Sequence, residues 1–180
     1  MRTLVLGGIR SGKSRWAEEA IAEAAADLPV RYLATGLSPS DNDGDPAWSA
    51  RVAAHQLRRP PHWSTAESPD VATELRAGPD VATLVDDVGN WLTAAMDRQN
   101  VWGGGSISEE VDELMEAVRT FESPLVLVSP EVGLTVVSAT EAGRMFTDAL
   151  GSLNQRLAGA CDRVVLVVAG QALTIKPQRR

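Results

Sequence analysis

An α/β fold, with a mostly parallel central sheet and helices on both faces, is predicted by three features of this 180-residue chain. Short unbroken apolar runs recur along it, the pattern of strands buried on both faces. Longer stretches with helical spacing separate those runs, which is the alternation of a layered α/β domain. The first run ends in a glycine-rich loop that leads directly into a helical stretch.

Each element follows in order. "TLVLGG" is the first buried strand, and "SRWAEEAIAEAAADL" follows as a helix with Trp16, Ala20, Ile21 and Ala24 at helical spacing. "VRYLAT" is the second strand, so the chain opens as a βαβ unit. Residues 36–46, "GLSPSDNDGDP", read as a polar loop of turn formers. A helix over about 47–57 ends before Pro60 and Pro61, which cannot continue it. "VATLVDD" closes a third strand and "VGNWLTAAMDR" is helical. "WGGGS" at 102–106 is a connector, after which Ser106 and Glu109 have capping-box spacing ahead of "EEVDELMEAVRTF". "PLVLVS" is a fourth buried strand. Ser138 and Glu141 repeat the capping-box spacing at the head of a long helix running to about Gly159. "RVVLVVAG" and "ALTIK" then close the chain as a hairpin. No internal repeat or linker divides the sequence, so residues 1–180 are expected to form a single domain.

A hydrophobic share of 44% and a charged share of 23% are those of a soluble globular protein. The net charge of −7 argues against broad nucleic-acid binding, which needs basic surface to neutralise phosphates. Cys161 is the only cysteine, so no intrachain disulfide and no cysteine-held zinc site can form. The opening apolar run is too short for a signal peptide and no stretch approaches a membrane span, so a cytoplasmic location is expected.

The chemistry concentrates in "GGIRSGKS", residues 7–14, which fits G-x-x-x-x-G-K-[ST]. Gly7, Gly8, Ile9, Arg10, Ser11 and Gly12 are the loop in which backbone N–H groups turn around a phosphate, aided by the positive end of the following helix. Lys13 reaches the β and γ phosphates, and Ser14 offers a hydroxyl to Mg²⁺. At ordinary residue frequencies a chain of this length matches the pattern by accident roughly less than once in a hundred. A carboxylate on a neighbouring strand is needed to help hold the cation. Asp86, last in the apolar register of "ATLVDD", fits that part. Asp87 is read as an outer partner, a general base or a helix cap. The loop alone leaves kinase, GTPase, motor and transport ATPase open. The "NKxD" string of guanine readers and an arginine-rich lid are both missing.

Both histidines lie in "VAAHQLRRPPHW", residues 52–63. A neutral imidazole is suited to attack phosphorus and to carry a nucleotidyl group as a phosphoramidate. Arg58 and Arg59 are suited to steady the phosphates of such a nucleotide. From spacing alone, His55 near a helix end also reads as a surface or capping residue.

These strings resemble the CobU/CobP family of bifunctional adenosylcobinamide kinases and adenosylcobinamide-phosphate guanylyltransferases. The likeness runs nearly end to end, through "GGIRSGKSRWAE", "RYLATG", "RVAAHQLRRPPHWST", "LVDDVGNWLT", "EVGLTVV", "RMFTDALGSLNQRLA" and "CDRVVLVVAG". The string R-x-x-x-H-x-x-x-R-P, from Arg51 through His55 to Pro60, and the EVG…NQ pair are its most specific parts. The resemblance implies a RecA-like P-loop fold, commonly a homotrimer. It implies phosphorylation of adenosylcobinamide by ATP or GTP with Mg²⁺, then transfer of GMP from GTP through a guanylylated histidine. That histidine matches His55, the phosphate loop matches Gly7–Ser14, and the acidic metal-side residue matches Asp86. His62, ahead of the tryptophan of the family's "W-x-T" segment, is expected to be structural. The chain departs from the family pattern at Ala47 and Trp48, at Ala94 and at Pro130, none of which is a loop, histidine or metal-side position. A single-activity P-loop small-molecule kinase and a RecA-like ATPase working with protein partners are the alternatives. The first would leave His55 dispensable, and the second would tie hydrolysis to a partner.

Overall fold

The structure is a computed structural model and describes residues 1–36, 59–134 and 136–177. The polar loop apart from Gly36, the helix expected over 47–57, and the positions of Ala47, Trp48, His55 and Arg58 lie outside the described residues.

Seven strands form one sheet: β1 (Arg2–Gly7), β2 (Val30–Ala34), β3 (Ser64–Glu67), β4 (Ala82–Asp86), β5 (Leu125–Pro130), β6 (Arg163–Val168) and β7 (Gln171–Lys176). Their spatial order is β3-β2-β4-β5-β1-β6-β7. Every pairing is parallel except β6 with β7, the expected C-terminal hairpin. The helices are α1 (Lys13–Ala25), α2 (Val71–Ala77), α3 (Val88–Arg98), α4 (Ser108–Thr120) and α5 (Glu141–Ala160).

Alternation along the central strands explains why their sequences are mostly apolar. Leu4, Leu6, Leu33, Val85, Leu125 and Leu127 face one core, which α2, α3, α4 and α5 cover. Val5, Tyr32, Leu84, Val126 and Val128 face the other, against Ala17, Ile21 and Ala25 of α1. Successive strand residues point to opposite faces, so a strand with two covered faces admits a polar side chain only where it finds a hydrogen-bond partner, as Thr83 does at the Val81 carbonyl and Ser129 at Asn154 Oδ1. Each buried Leu or Val contributes about 1.5–3 kcal/mol relative to an exposed one. Cys161, at the end of α5, is buried, and burial pushes its thiol up to about 12.

Two elements were not anticipated. Strand β3, Ser-Thr-Ala-Glu, is a four-residue edge strand that is largely exposed, so it has no apolar run to betray it. Helix α2 is short and is set by Asp70, whose carboxylate accepts from the Thr73 N–H at 3.0 Å. Neither anticipated capping box forms as expected. Helix α4 starts after Ile107, which packs against the core, and Ser106 Oγ instead accepts from the Ser108 N–H at 3.2 Å. At α5 the cap is Thr140, whose hydroxyl accepts from the Gly143 N–H at 3.1 Å, while Ser138 stands two residues outside. The far end of α5 has no basic residue of its own. Lys176 of β7 supplies one from across the fold, donating to the carbonyls of Ala158 at 2.9 Å and Cys161 at 2.5 Å.

The Asp70 cap gives a test of local stability. The Thr73 backbone hydrogen bond holds the Asp70 carboxyl below its ordinary range. A depressed carboxylate stabilises the folded state above its unfolded pKa, and that contribution is lost as pH falls through the lower folded pKa. Asp70→Ala is therefore expected to cost about 1 kcal/mol near neutral pH, a fall in Tm of ~2–4 °C. Thermal unfolding as a function of pH should show this deficit narrowing in acid.

Candidate functional site: a phosphate cradle at the carboxyl ends of the strands

The loop between β1 and α1 is shaped by two close approaches. A Cβ on Gly7 would lie 2.5 Å from Ser11 Oγ and 2.7 Å from the carbonyl oxygen of Val167, so no side chain fits there. Gly12 has φ +95° and packs against Gly170, whose Cα would be 3.3 Å from an added Cβ. The tip of the β6–β7 hairpin thus buttresses the loop, and the Gly170 N–H donates to the Ser11 carbonyl at 2.8 Å. Arg10 is held at φ 56°, an uncommon conformation for a side-chain-bearing residue. Gly8, Ile9 and Arg10 are exposed at the outer side of the loop.

Inside the cradle, Ser11 Oγ is buried with no hydrogen-bond partner. A buried hydroxyl left unpartnered is costly, and a bound phosphate oxygen would satisfy it. Lys13, first residue of α1, lies back across the loop with Nζ donating to the Gly8 carbonyl at 3.3 Å. Ser14 Oγ donates to Asp86 Oδ1 at 3.4 Å, which brings together the two predicted cation partners from positions 72 residues apart.

The strand that carries Asp86 is not adjacent to β1: β5 lies between β4 and β1. The carboxylate reaches the loop all the same, because α1 crosses the face of the sheet with its core residues packed on Leu84 of β4 and Val126 of β5. The first turn of α1 is thereby set beside the end of β4.

Other groups hold the carboxylate. Tyr32 of β2, only 1% exposed, donates its hydroxyl to Asp86 Oδ2. Burial first, and the neighbouring Asp86 second, push the Tyr32 hydroxyl well above its ordinary pKa, so it stays a donor. Thr35 Oγ1 donates to the backbone carbonyls of Asp86 at 3.0 Å and Asp87 at 2.6 Å. Asp87 is the N-cap of α3, with φ 76° and its carboxylate accepting from the Asn90 N–H at 3.1 Å. Of the readings open for Asp87, the cap is the one its contacts show. Burial raises its pKa, as does the Asp86 charge, against the lowering pull of its hydrogen bond with Asn90.

Arg59 lies with its guanidinium carbon 3.3 Å from the centre of the Tyr32 ring, and its Nη1 donates to Thr65 Oγ1 at 3.2 Å. Its Nε is buried without a partner. His62 stands exposed in the turn of residues 60–63, and the packing there is done by Trp63, which lies against the core on the α1 side. Tyr32, Thr35 and Gly170 were not singled out from the sequence. Tyr32 and Thr35 sit in or beside an apolar run and read as core, while nothing local marks Gly170 as a support for a loop more than a hundred residues away.

The donor set suits a small, hard divalent cation. One hydroxyl and one carboxylate oxygen, side by side, are what Mg²⁺ takes from a protein when substrate phosphates and water complete its shell. Among the described residues no group of three or more His, Cys, Asp or Glu side chains is arranged for a metal.

A strand, a phosphate cradle, a helix and a carboxylate one strand removed define a P-loop nucleotide-binding protein. Solved structures agree on the fold. An ATPase from the type III secretion system of pathogenic bacteria superposes with a TM-score of 0.56 at 11% identity, over 96% of this chain and 57% of that one. A second solved ATPase domain does so with a TM-score of 0.50 at 9% identity, over 92% and 68%. The fold is therefore P-loop and RecA-like. The family model described as cobinamide kinase / cobinamide phosphate guanyltransferase, CobU, matches residues 3–175. The bifunctional adenosylcobalamin biosynthesis protein CobP of Pseudomonas aeruginosa is 39% identical over 182 residues, spanning 98% of each chain. The corresponding CobU proteins of Salmonella typhimurium and Escherichia coli are 36% and 32% identical over 98% of this chain and 100% of their own. The chain belongs to the CobU family and is an enzyme of its kinase and guanylyltransferase class.

Proposed function

We propose that this enzyme carries out two successive transfers, with the phosphate loop serving the first and His55 the second. The observation that carries the reading is the juxtaposition of Lys13, Ser14 and Asp86 around a cradle with an unpartnered buried hydroxyl.

In the first transfer the γ-phosphoryl group of ATP or GTP passes to the aminopropanol hydroxyl of adenosylcobinamide. The loop N–H groups and Lys13 hold the phosphates and oppose the charge that develops on them. Ser14 and Asp86 would hold Mg²⁺, which supplies charge neutralisation at the phosphate oxygens when bound.

In the second transfer an imidazole nitrogen of His55 forms a bond to the α-phosphorus of GTP, and the bond to pyrophosphate breaks. A phosphate oxygen of adenosylcobinamide phosphate then takes the same phosphorus, the P–N bond breaks, and adenosylcobinamide-GDP leaves with the imidazole restored. Arg58 and Arg59 steady the nucleotide's phosphates. The guanidinium N–H groups of Arg59 that Thr65 does not take would serve this. We place the enzyme in the cytoplasm and, as its resemblance to the family implies, as a homotrimer. In the described residues no helix is long and apolar enough to cross a membrane.

Product analysis tests the pair of transfers. Adenosylcobinamide, Mg²⁺ and ATP should yield adenosylcobinamide phosphate alone, and addition of GTP should convert it to adenosylcobinamide-GDP. Accumulation of the phosphate with GTP present would reduce the enzyme to a simple kinase.

A further inference from the structure

Asp86 has two carboxylate oxygens with different neighbours. Oδ1 faces Ser14 on the phosphate-loop helix, while Oδ2 takes the hydroxyl of Tyr32. The Tyr32 ring is itself held. It belongs to the core built on α1, and the guanidinium of Arg59 lies 3.3 Å from its centre. Arg59 is tied in turn to Thr65 on the edge strand β3. Carboxylate side chains turn freely about their terminal bond, so an unheld Asp86 would sample orientations that present both oxygens, one, or neither to the loop. A hydrogen bond to one oxygen from a side chain that cannot move removes that freedom and leaves the other directed at Ser14.

We infer that Tyr32 is a positioning residue: its hydroxyl locks Asp86 with one oxygen turned to Ser14 and the divalent cation, and the Arg59 stack holds the ring that does so. This inference rests on the reading of Ser14 and Asp86 as cation partners. It also gives Arg59 a second part. Arg59 follows the proposed nucleotidyl-carrying His55 by four residues in the sequence, and its guanidinium lies on the ring that orients the Asp86 carboxylate. Groups that orient a metal-binding carboxylate affect affinity for the metal by about 10–100-fold when removed.

Tyr32→Phe isolates the hydroxyl, because it keeps the ring, its core contacts and the Arg59 stack. Affinity for a non-hydrolysable GTP analogue, titrated with Mg²⁺ and with EDTA, separates cation from cradle. The EDTA affinity of Tyr32→Phe should match wild type within about twofold, since the cradle is intact. The tightening produced by Mg²⁺ should shrink about tenfold, and direct Mn²⁺ binding followed by electron paramagnetic resonance should weaken in parallel. Arg59→Lys, which keeps the charge and loses the planar stack, should show a smaller loss in the same direction. A Tyr32→Phe protein whose Mg²⁺ response equals a responsive wild type would overturn the role of Tyr32 alone. Equal losses with EDTA and with Mg²⁺ would overturn it as well, by making the change one of general structure. A wild-type protein indifferent to Mg²⁺ would instead overturn the cation reading of Ser14 and Asp86, and the positioning role with it.

Discussion

His55→Ala should abolish conversion of adenosylcobinamide phosphate to adenosylcobinamide-GDP, with a fall in rate of about 10⁵-fold or more, and leave phosphorylation of adenosylcobinamide within about twofold of wild type. Loss of a covalent nucleophile acts on that scale because the remaining site has no alternative route through an enzyme-bound intermediate. The selectivity matters more than the size. Phosphoryl transfer in this reading is the work of Lys13, Ser14 and Asp86, none of which needs an imidazole. Separate assays of the two half-reactions, each started from its own substrate, check the prediction. A parallel loss of both activities would mean that His55 supports the shape of the protein rather than one of its reactions.

Lys13→Ala should lower phosphoryl transfer about 10³-fold, the scale on which one preorganised charge on a transferring phosphoryl group acts. Stability, by contrast, should hardly change. Among the described residues Lys13 donates only to the Gly8 carbonyl at 3.3 Å, a long contact in an exposed setting, and its aliphatic stem is no part of either core. Thermal stability of the variant should therefore stay within about 1 °C of wild type, as surface changes away from buried features do. Steady-state kinetics of the kinase half-reaction, with a melting curve beside them, separate the lost charge from damage to the fold.

What could be read from the sequence, and what could not, divides along a physical line. Strands β1, β4, β5 and β6 are buried on both faces, so nearly every residue in them must be apolar, and a continuous run announces each one. The phosphate loop is equally legible because its constraint is local: Gly12 needs a left-handed backbone and Gly7 needs room, within one short stretch. Strand β3 escapes notice because an exposed edge strand carries no such pattern. The helix starts differ from the expected ones because several hydroxyls compete to cap them, and Ile107 and Thr140 are the residues that packing and geometry select.

Within the site, Lys13, Ser14 and Asp86 were each visible, and the structure sets Ser14 against Asp86 and Lys13 across the loop onto the Gly8 carbonyl. Tyr32 was hidden for a different reason. Its ring belongs to the core, so its place in "VRYLAT" is fully explained by burial, and nothing in that run reveals a hydroxyl bonded to a carboxylate 54 residues away. Arg59 was read for its charge, whereas its flat guanidinium is what the Tyr32 ring receives. Such pairings are products of the sheet order, which sets β2 beside β4 with Tyr32 paired to Leu84 and Ala34 to Asp86.

The central claim is that one chain joins a phosphate-loop kinase site to a histidine that carries GMP. Its most direct test is incubation of the purified protein with Mg²⁺ and GTP labelled on the α-phosphate, followed by denaturation and peptide mapping. The account predicts a label that is labile to acid, stable to base and confined to the peptide containing His55. Native protein that binds GTP and phosphorylates adenosylcobinamide, yet retains no label after denaturation, would contradict it.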